Sequence, residues 1–294
     1  MNSVGIIGLG NIGVALSSVI IGSELVDKLK IYSRNYDAVK SYSLDLDDFS
    51  STLKPATNIV ACNSLEELLD VDVTVICVRA DFKNGSSKDS RIQGLKYNLN
   101  MIKNIAKVFK KYSGTVLMVT NPVDLMCRYF FESSGLNSNQ IYGIGSNLDT
   151  QRYQTVLSSI YGVPIDQISG QVIGEHGDSM VLLFSSTLVE GGHKNYDKLK
   201  IKKIVSKRSS VICQGAGRTR YGPAGVTLRT LKRLMGIYDG VEQISTFHEG
   251  IYVGLPISFS NSSSQVVLPN LSQEEQSAFE ISCAKLRTVY GDVA

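Results

Sequence analysis

The stretch Ser3-Val-Gly-Ile-Ile-Gly-Leu-Gly-Asn-Ile-Gly13 decides the fold of the first half of the chain. A short apolar run leads into three glycines, Gly8, Gly10 and Gly13, and then into a helical pattern. In such a strand-turn-helix unit, the first glycine makes a tight turn and the second lets backbone approach a pyrophosphate, while the third permits close helix packing. The pattern alone is often only a structural turn. Its N-terminal context favours a dinucleotide site in which Asn11 and Ile12 open the phosphate-binding helix.

Short β-branched runs alternate with helical patterns through residues 1–143. This rhythm is typical of a parallel sheet covered by helices. The predicted strands are 3–7, 30–33, 58–61, 73–78, 115–120 and 141–143. We therefore predict an α/β protein with an N-terminal Rossmann domain, a doubly wound parallel sheet, over 1–143, and a C-terminal α+β substrate domain over 144–294.

The second half predicts a different mixture of elements. A helix is expected over 147–161, capped by Ser146 or Asn147 and ended by Gly162. Strands are expected at 168–173 and 181–189, a hairpin-like region at 251–268, and further helices at 202–215, 223–235 and 273–290. Residues 81–90 have no apolar periodicity and many turn formers, which predicts a mobile loop.

Composition limits the classes of protein that the chain can belong to. Its 294 residues are 43% hydrophobic and 19% charged, with a formal net charge of +3. No stretch approaches the ~20 apolar residues of a membrane span. No secretory signal is recognisable at the N-terminus, so a cytoplasmic location is expected. The five cysteines are odd in number and lack metal-ligand spacing, which predicts reduced thiols and no metal site. The weak charge makes nucleic-acid binding an outside possibility.

The end of the second predicted strand bears on the choice of dinucleotide. NAD-binding turns usually have Asp or Glu there to hold the ribose 2′-hydroxyl, but this sequence has Ser33 and Arg34. A hydroxyl and a guanidinium suit a 2′-phosphate, which a carboxylate would repel. The sequence therefore favours NADP(H). The alternative is an exposed Arg34 beside an NAD(H) site that does without the acid.

A histidine in a glycine-flanked turn, Gly174-Glu-His-Gly-Asp-Ser179, is the candidate proton donor. Asp149 and Arg152 are three residues apart on a predicted helix, so both face the same side. An aspartate bonded to one nitrogen of His176 would fix its tautomer and raise its proton affinity. Arg152 would then bind a substrate carboxylate through two parallel hydrogen bonds. The alternative is a plain ion pair within the helix, worth only ~0.3 kcal/mol.

Four runs occur in an order that resembles the lactate and malate dehydrogenase superfamily. They are Gly8 to Gly13, Thr120-Asn-Pro-Val-Asp124, Leu148-Asp-Thr-Gln-Arg152 and Gly174 to Ser179. The resemblance implies that His176 is the acid/base, Asp149 its partner and Arg152 the carboxylate clamp. It also implies that Asn121 contacts the nicotinamide and the substrate, that Thr219 lines the substrate pocket, and that Arg91 closes over the substrate and polarises its carbonyl.

The sequence departs from this superfamily at several positions. The loop before Arg91 is a few residues longer than in typical lactate dehydrogenases, which suggests a roomier pocket, similar to the L-2-hydroxyisocaproate dehydrogenase branch. Arg79 replaces a small turn residue, and Pro223 an apolar or small one near the nicotinamide. Arg218 and Arg220 add charge beside Thr219, where they either favour a second anionic group or point to solvent.

The leading hypothesis is an oxidoreductase that transfers a hydride between NADP(H) and a 2-keto acid/L-2-hydroxy acid pair. The runner-up is an NAD-dependent L-lactate or malate dehydrogenase. A dinucleotide-sensing protein without turnover is an alternative from another class, since a fold does not fix a function. A glycosidase on a related scaffold would require metal ligands that the chain lacks at the equivalent place. The superfamily resemblance further implies a homodimer or homotetramer, with a small-molecule substrate and neither nucleic acid nor membrane as a partner.

Overall fold

The computed structural model describes residues 2–54, 56–80, 88–260 and 263–291, and for 88–94 the backbone alone. The strands that form its main sheet are β1 (Ser3–Ile7), β2 (Lys28–Tyr32), β3 (Asn58–Ala61), β4 (Val73–Ile76), β5 (Thr115–Met118), β6 (Ile141–Gly143), β9 (Gly240–His248), β10 (Ile251–Ser260) and β11 (Ser263–Val266). A small separate pair consists of β7 (Val172–Ile173) and β8 (Val181–Leu182). The helices are α1 (Asn11–Gly22), α2 (Tyr36–Ser51), α3 (Lys88–Val108), α4 (Val123–Ser134), α5 (Ser146–Tyr161), α6 (Lys198–Ala216), α7 (Tyr221–Leu234) and α8 (Gln273–Gly291).

The first six strands form the predicted doubly wound parallel sheet. Their spatial order is β3-β2-β1-β4-β5-β6, and each neighbouring pair is parallel. The order reverses direction between β1 and β4, and in open sheets of this kind ligands bind outside the carboxyl ends of the strands at such a point. The glycine turn after β1 therefore lies at the expected binding edge.

The same sheet continues into the second half of the chain. β9 lies antiparallel to β6 through the pair Gly143 and Ser245, and β10 and β11 follow it. The hairpin predicted at 251–268 is confirmed as β10 and β11. The prediction missed β9, because Glu242, Gln243, Ser245 and Thr246 make it read as polar although all four are buried.

Elements around the predicted substrate region differ in detail from expectation. The strands predicted at 168–173 and 181–189 are observed only as the two-residue strands β7 and β8. One isolated bridge also joins Ile168 and Val189. Helix α5 ends at Gly162 with φ of 69°, as predicted. Its N-cap is Gly145, without a side-chain cap, so the predicted cap at Ser146 or Asn147 is wrong. Those two side chains instead bond the Gly174 carbonyl and Thr230.

Apolar side chains fill the space between the sheet and a helix layer on each face. On one face α3, α4 and α8 contribute Ile102, Phe130 and Phe279, and on the other α1 and α7 contribute Ile20 and Leu231. Helix α3 begins at Lys88, so the last three residues of the predicted 81–90 loop are helical, and 81–87 lie outside the described residues. Among the described helices, none combines the length and apolar character needed to cross a membrane.

Candidate active site

Three glycines give the turn after β1 its shape. Gly8 has φ of +107°, a conformation that side chains disfavour. A Cβ on Gly13 would lie 1.9 Å from the Gly8 carbonyl oxygen, so only glycine lets α1 approach the turn this closely. Around Gly10, no atom of the described residues other than its chain neighbours lies within 4 Å of an added Cβ, which leaves open space beside the backbone. The three positions thus have the geometry that the glycine spacing predicts.

The start of α1 suits an anionic ligand. Its N-cap is Gly10, no side chain caps it, and its first turn contains no acidic residue. The N–H groups of Asn11 and Ile12 belong to this uncapped first turn, at the positive end of the helix dipole. The backbone donors and the open space at Gly10 therefore fit the pyrophosphate of a dinucleotide.

Ser33 and Arg34 directly follow β2, next to the glycine turn after β1. Gly8 N–H donates to the Tyr32 carbonyl oxygen at 2.8 Å, which joins the two strand ends. Ser33 is half-buried and Arg34 is exposed. Asn35 caps α2 by accepting from the Ala38 N–H at 3.1 Å. The place at which an NAD site usually has its carboxylate is therefore occupied by the Ser33 hydroxyl.

His176 and Asp149 form a direct pair. The Nδ1 atom of His176 lies 2.6 Å from Oδ2 of Asp149, whose side chain is only 1% exposed. Asp149 stands in the first turn of α5, and His176 in the loop after β7. Burial disfavours the imidazolium, but the charge and hydrogen bond of Asp149 outweigh it and hold the pKa of His176 above its ordinary value. The pairing with Asp149 thereby stabilises the protonated ring.

Arg152 belongs to the same group of side chains. Its Nη1 donates to Oδ1 of Asp149 at 3.2 Å, and its side chain is 11% exposed. The intrahelical ion pair considered as the alternative is therefore present. It uses one of the five N–H donors of the guanidinium, so the pair is compatible with a second, carboxylate partner.

A cleft of about 190 Å³ contains most of the predicted catalytic and substrate-binding residues. Asn121, Asp149, Arg152, His176 and Thr219 line it, and so does Ile12 from the phosphate-binding helix. Further lining residues, to which the sequence analysis assigned no role, are Val119, Ile144, Leu148, Gly177, Asp178, Met180, Ser206 and Ser209. Arg91 lies in α3, and its side chain is outside the described residues.

The departures from the superfamily pattern fall at different places. Pro223 lines the cleft, at the start of α7. Arg79 and Arg218 are exposed. Arg220 is half-buried, and one of its guanidinium N–H groups donates to the Ala216 carbonyl at 3.4 Å. Neither Arg218 nor Arg220 is among the residues that line the cleft.

The loop that contains His176 is held by residues that the motifs did not identify. Oδ2 of Asp124 accepts the His176 backbone N–H at 2.9 Å. Ser282 on α8 accepts the Glu175 N–H at 2.8 Å, and Lys285 donates to Glu175 Oε2 at 2.6 Å. Burial disfavours the charged form of Glu175, but bonds from Lys285 and Ser179 keep its pKa below the ordinary value. Asp124 was part of a quoted motif, whereas Ser282 and Lys285 lie more than 100 positions away, and no local pattern indicates them.

Two other residues support the site, Gly145 by close packing and Asn98 by hydrogen bonds. A Cβ on Gly145 would lie 2.7 Å from the Cβ of His176, so the imidazole packs directly on the backbone that precedes α5. Asn98 on α3 accepts from the Ala80 N–H at 2.9 Å and donates to the Asn121 carbonyl at 3.2 Å. Asn98 therefore ties together the segments that follow β4 and β5 at the edge of the cleft.

Comparisons with known proteins agree with the fold described above. Residues 2–143 match a family model described as lactate/malate dehydrogenase, NAD binding domain. The L-lactate dehydrogenase of Fervidobacterium nodosum is 30% identical over 298 residues, covering 95% of this chain and 94% of that protein. L-lactate dehydrogenase 1 of Staphylococcus aureus is 29% identical over 310 residues, covering 99% and 96%. The crystal structure of Cryptosporidium parvum malate dehydrogenase matches with a TM-score of 0.90 at 26% identity, covering 99% and 98%.

The fold and these relatives together define an oxidoreductase of the 2-hydroxy acid dehydrogenase class. The chain belongs to the lactate/malate dehydrogenase family. The resemblance carried by the four sequence motifs is thereby confirmed.

Proposed function

We propose that this chain transfers a hydride between a nicotinamide cofactor and a 2-keto acid/L-2-hydroxy acid pair, with NADP(H) preferred. The observation that carries the proposal is the convergence of Asp149, Arg152 and His176 in one cleft with the helix that follows the glycine turn. NAD-dependent oxidation of L-lactate or malate is the second candidate, because the named relatives are lactate and malate dehydrogenases.

Each group has a distinct task in the proposed reaction. Arg152 binds the substrate carboxylate and so orients the neighbouring carbonyl. Because Nδ1 of His176 is bonded to Asp149, Nε2 is the ring nitrogen that gives its proton to the carbonyl oxygen. The bound nicotinamide cofactor supplies the hydride in reduction and accepts it in oxidation. We assign to Arg91 the stabilisation of negative charge on the reacting oxygen.

The preference for NADP(H) rests on the residues that follow β2. Ser33 stands where a carboxylate would contact a ribose 2′-hydroxyl, and the exposed Arg34 is next to it. A 2′-phosphate gains a hydroxyl and a guanidinium as partners there, and meets no carboxylate at that position.

We also propose that the chain forms a homodimer or homotetramer in the cytoplasm. Large apolar side chains at several places are exposed, among them Leu44 at 67%, Leu199 at 84% and Tyr221 at 76%. Contact between copies would remove such side chains from water. Light scattering of the purified 32.1 kDa chain tests the assembly, and a purely monomeric protein would overturn it.

An absorbance assay tests the reaction class. Oxidation of NADPH and NADH is followed with a panel of 2-keto acids that runs from pyruvate and oxaloacetate to branched and aromatic ones. His176→Asn should lower kcat by ~10²-fold or more while cofactor affinity stays nearly unchanged. Cofactor binding without turnover of any keto acid would instead support a dinucleotide-sensing protein.

A double substitution tests the cofactor preference. Ser33→Asp with Arg34→Ile places a carboxylate at the end of β2 and removes the guanidinium. The ratio of kcat/KM for NADPH to that for NADH should fall by ~10-fold or more, since one lost charged hydrogen bond is worth about 1.5–3 kcal/mol. An unchanged ratio would remove the case for a 2′-phosphate site.

A further inference from the structure

Asp124 is a buried carboxylate to which the proposed reaction assigns no task. The residue is 3% exposed and stands in the first turn of α4. Its Oδ2 accepts the His176 backbone N–H, while Oδ1 has no hydrogen-bond partner among the described residues. The Ser245 hydroxyl on β9 is buried beside Asp124, where it favours the ionised carboxyl, although it forms no hydrogen bond of standard geometry among the described residues. A carboxylate in this position costs free energy, so stability alone does not explain it.

The charges around His176 come from four elements. Asp149 and Arg152 face it from α5, and Asp124 from α4. Glu175 lies in the same loop as His176, but Lys285 on α8 forms an ion pair with it. The charge of Glu175 is therefore largely compensated, whereas no ion pair with a cation involves Asp124 among the described residues.

The surroundings of Asp124 allow it to be ionised near neutral pH. Burial raises its pKa to about 6, against the opposing effects of Ser245, the His176 N–H and the His176 charge. The start of α4 is the positive end of a helix dipole, which favours a negative charge. The neighbouring Cys127 thiol has its pKa raised by burial, so it adds no charge there.

We propose that Asp124 is a positioning residue for hydride transfer: it fixes the backbone of His176 and adds a second negative charge next to the imidazole, which keeps His176 protonated for keto-acid reduction. This inference rests on the proposed function for its purpose. The electrostatic coupling between the Asp124 and His176 side chains is measurable without any substrate.

Histidine NMR measures that coupling directly. The chain has three histidines, His176, His193 and His248, so the ring signals of protein with isotope-labelled histidine are few. His176→Asn assigns the signal of interest by its loss. The pH titration is then repeated with Asp124→Asn, which keeps an oxygen to accept the His176 N–H but removes the charge. Asp149→Asn serves as the positive control, and Asp178→Asn removes an exposed carboxylate from the same loop.

The expected result is a fall of roughly 1 pH unit in the His176 titration midpoint for Asp124→Asn. Asp149→Asn should lower the midpoint at least as much, and Asp178→Asn should shift it far less because water screens an exposed charge. An unchanged midpoint in Asp124→Asn, with a fall in Asp149→Asn, would overturn the proposal. A shift without any keto-acid turnover would refute the proposed function and leave the coupling intact.

If Asp124→Asn does not fold, the same coupling can be measured from the other side, as the effect of His176 on the titration of Asp124. Carbon NMR of labelled aspartate carboxyls follows Asp124 in the wild-type chain and in His176→Asn. Loss of the imidazolium should raise the Asp124 titration midpoint, because that cation favours the ionised carboxyl. Equal midpoints in the two chains would overturn the coupling.

Discussion

His176 is held at two points by carboxylates from different helices. Asp149 on α5 binds the ring at 2.6 Å, and Asp124 on α4 binds the backbone N–H at 2.9 Å. The first contact selects the tautomer and stabilises the imidazolium. The second contact fixes the position of the His176 backbone, and with it the point from which the imidazole extends. Both position and proton affinity of this one side chain therefore depend on residues that need not touch the substrate.

The raised pKa of His176 predicts opposite pH profiles for the two reaction directions. Keto-acid reduction uses the imidazolium, so its kcat/KM should be level at low pH and fall as pH rises through the pKa of His176. Oxidation uses the neutral ring and should rise over the same interval. Steady-state rates from pH 5 to 10 check this, and Asp149→Asn should move both limbs to lower pH. Limbs that stay in place in Asp149→Asn would contradict the assigned pairing.

The pKa of Asp124 predicts a pH-dependent stability difference. The pKa is about 6 in the folded chain and 3.8 ordinarily, so the folded state binds the proton more tightly. The wild-type protein should therefore lose stability relative to Asp124→Asn as pH rises from about 4 to 7, by on the order of 3 kcal/mol at most. Urea unfolding at both pH values measures this. A difference independent of pH would mean that Asp124 does not titrate in this range.

At the scale of elements, the loop that contains His176 lies between the start of α5 and the side of α8. Gly145 lets the imidazole pack against the segment that leads into α5. Ser282 and Lys285 hold the Glu175 backbone and side chain from α8. Helices α1, α4 and α5 each begin at the carboxyl edge of the sheet, after β1, β5 and β6. At this edge the cleft is lined by the starts of α1 and α5 and by the segments that precede α4 and α5, whose positions the sheet fixes.

Gly145→Ala tests how closely this packing controls the reaction. The added Cβ would lie 2.7 Å from His176 Cβ, so the ring must shift. A displacement of about 1 Å from the reacting geometry lowers kcat by ~10²-fold. Gly225→Ala in α7 is the matched control, because, apart from its own helix backbone and chain neighbours, no atom of the described residues lies within 4 Å of its added Cβ. Gly225→Ala should leave kcat unchanged and the fold no less stable. Equal kcat in both variants would show that the contact does not matter.

At the scale of the whole molecule, one sheet connects both halves of the chain. Ser245 on β9 pairs with Gly143 on β6, and a Cβ on Gly143 would lie 2.8 Å from the Ser245 Cβ. This junction lies beside Asp124, which links it to the loop of His176. The cofactor end and the proton-transferring end are thus parts of a continuous scaffold.

Much of this scaffold could be predicted because its signals are local. The glycine spacing from Gly8 to Gly13 and the alternation of strands and helices determine the parallel half. His176, Asp149 and Arg152 could be found because each stands in a short motif. Strand β9 could not, since the charge of its buried Glu242 is compensated by Arg229 and Arg233, which donate to it from α7. A hydrophobicity pattern cannot reveal a buried carboxylate whose charge two arginines of another element compensate.

Isotope transfer tests the central claim most directly. The chain is incubated with each 2-keto acid of the panel and with NADPH or NADH that carries deuterium at both C4 positions of the nicotinamide, and the product is examined by mass spectrometry and chiral chromatography. The expected product is an L-2-hydroxy acid with one deuterium at C2, formed by the wild-type chain and scarcely by His176→Asn. Failure of every keto acid in the panel to acquire deuterium from either reduced cofactor would contradict it.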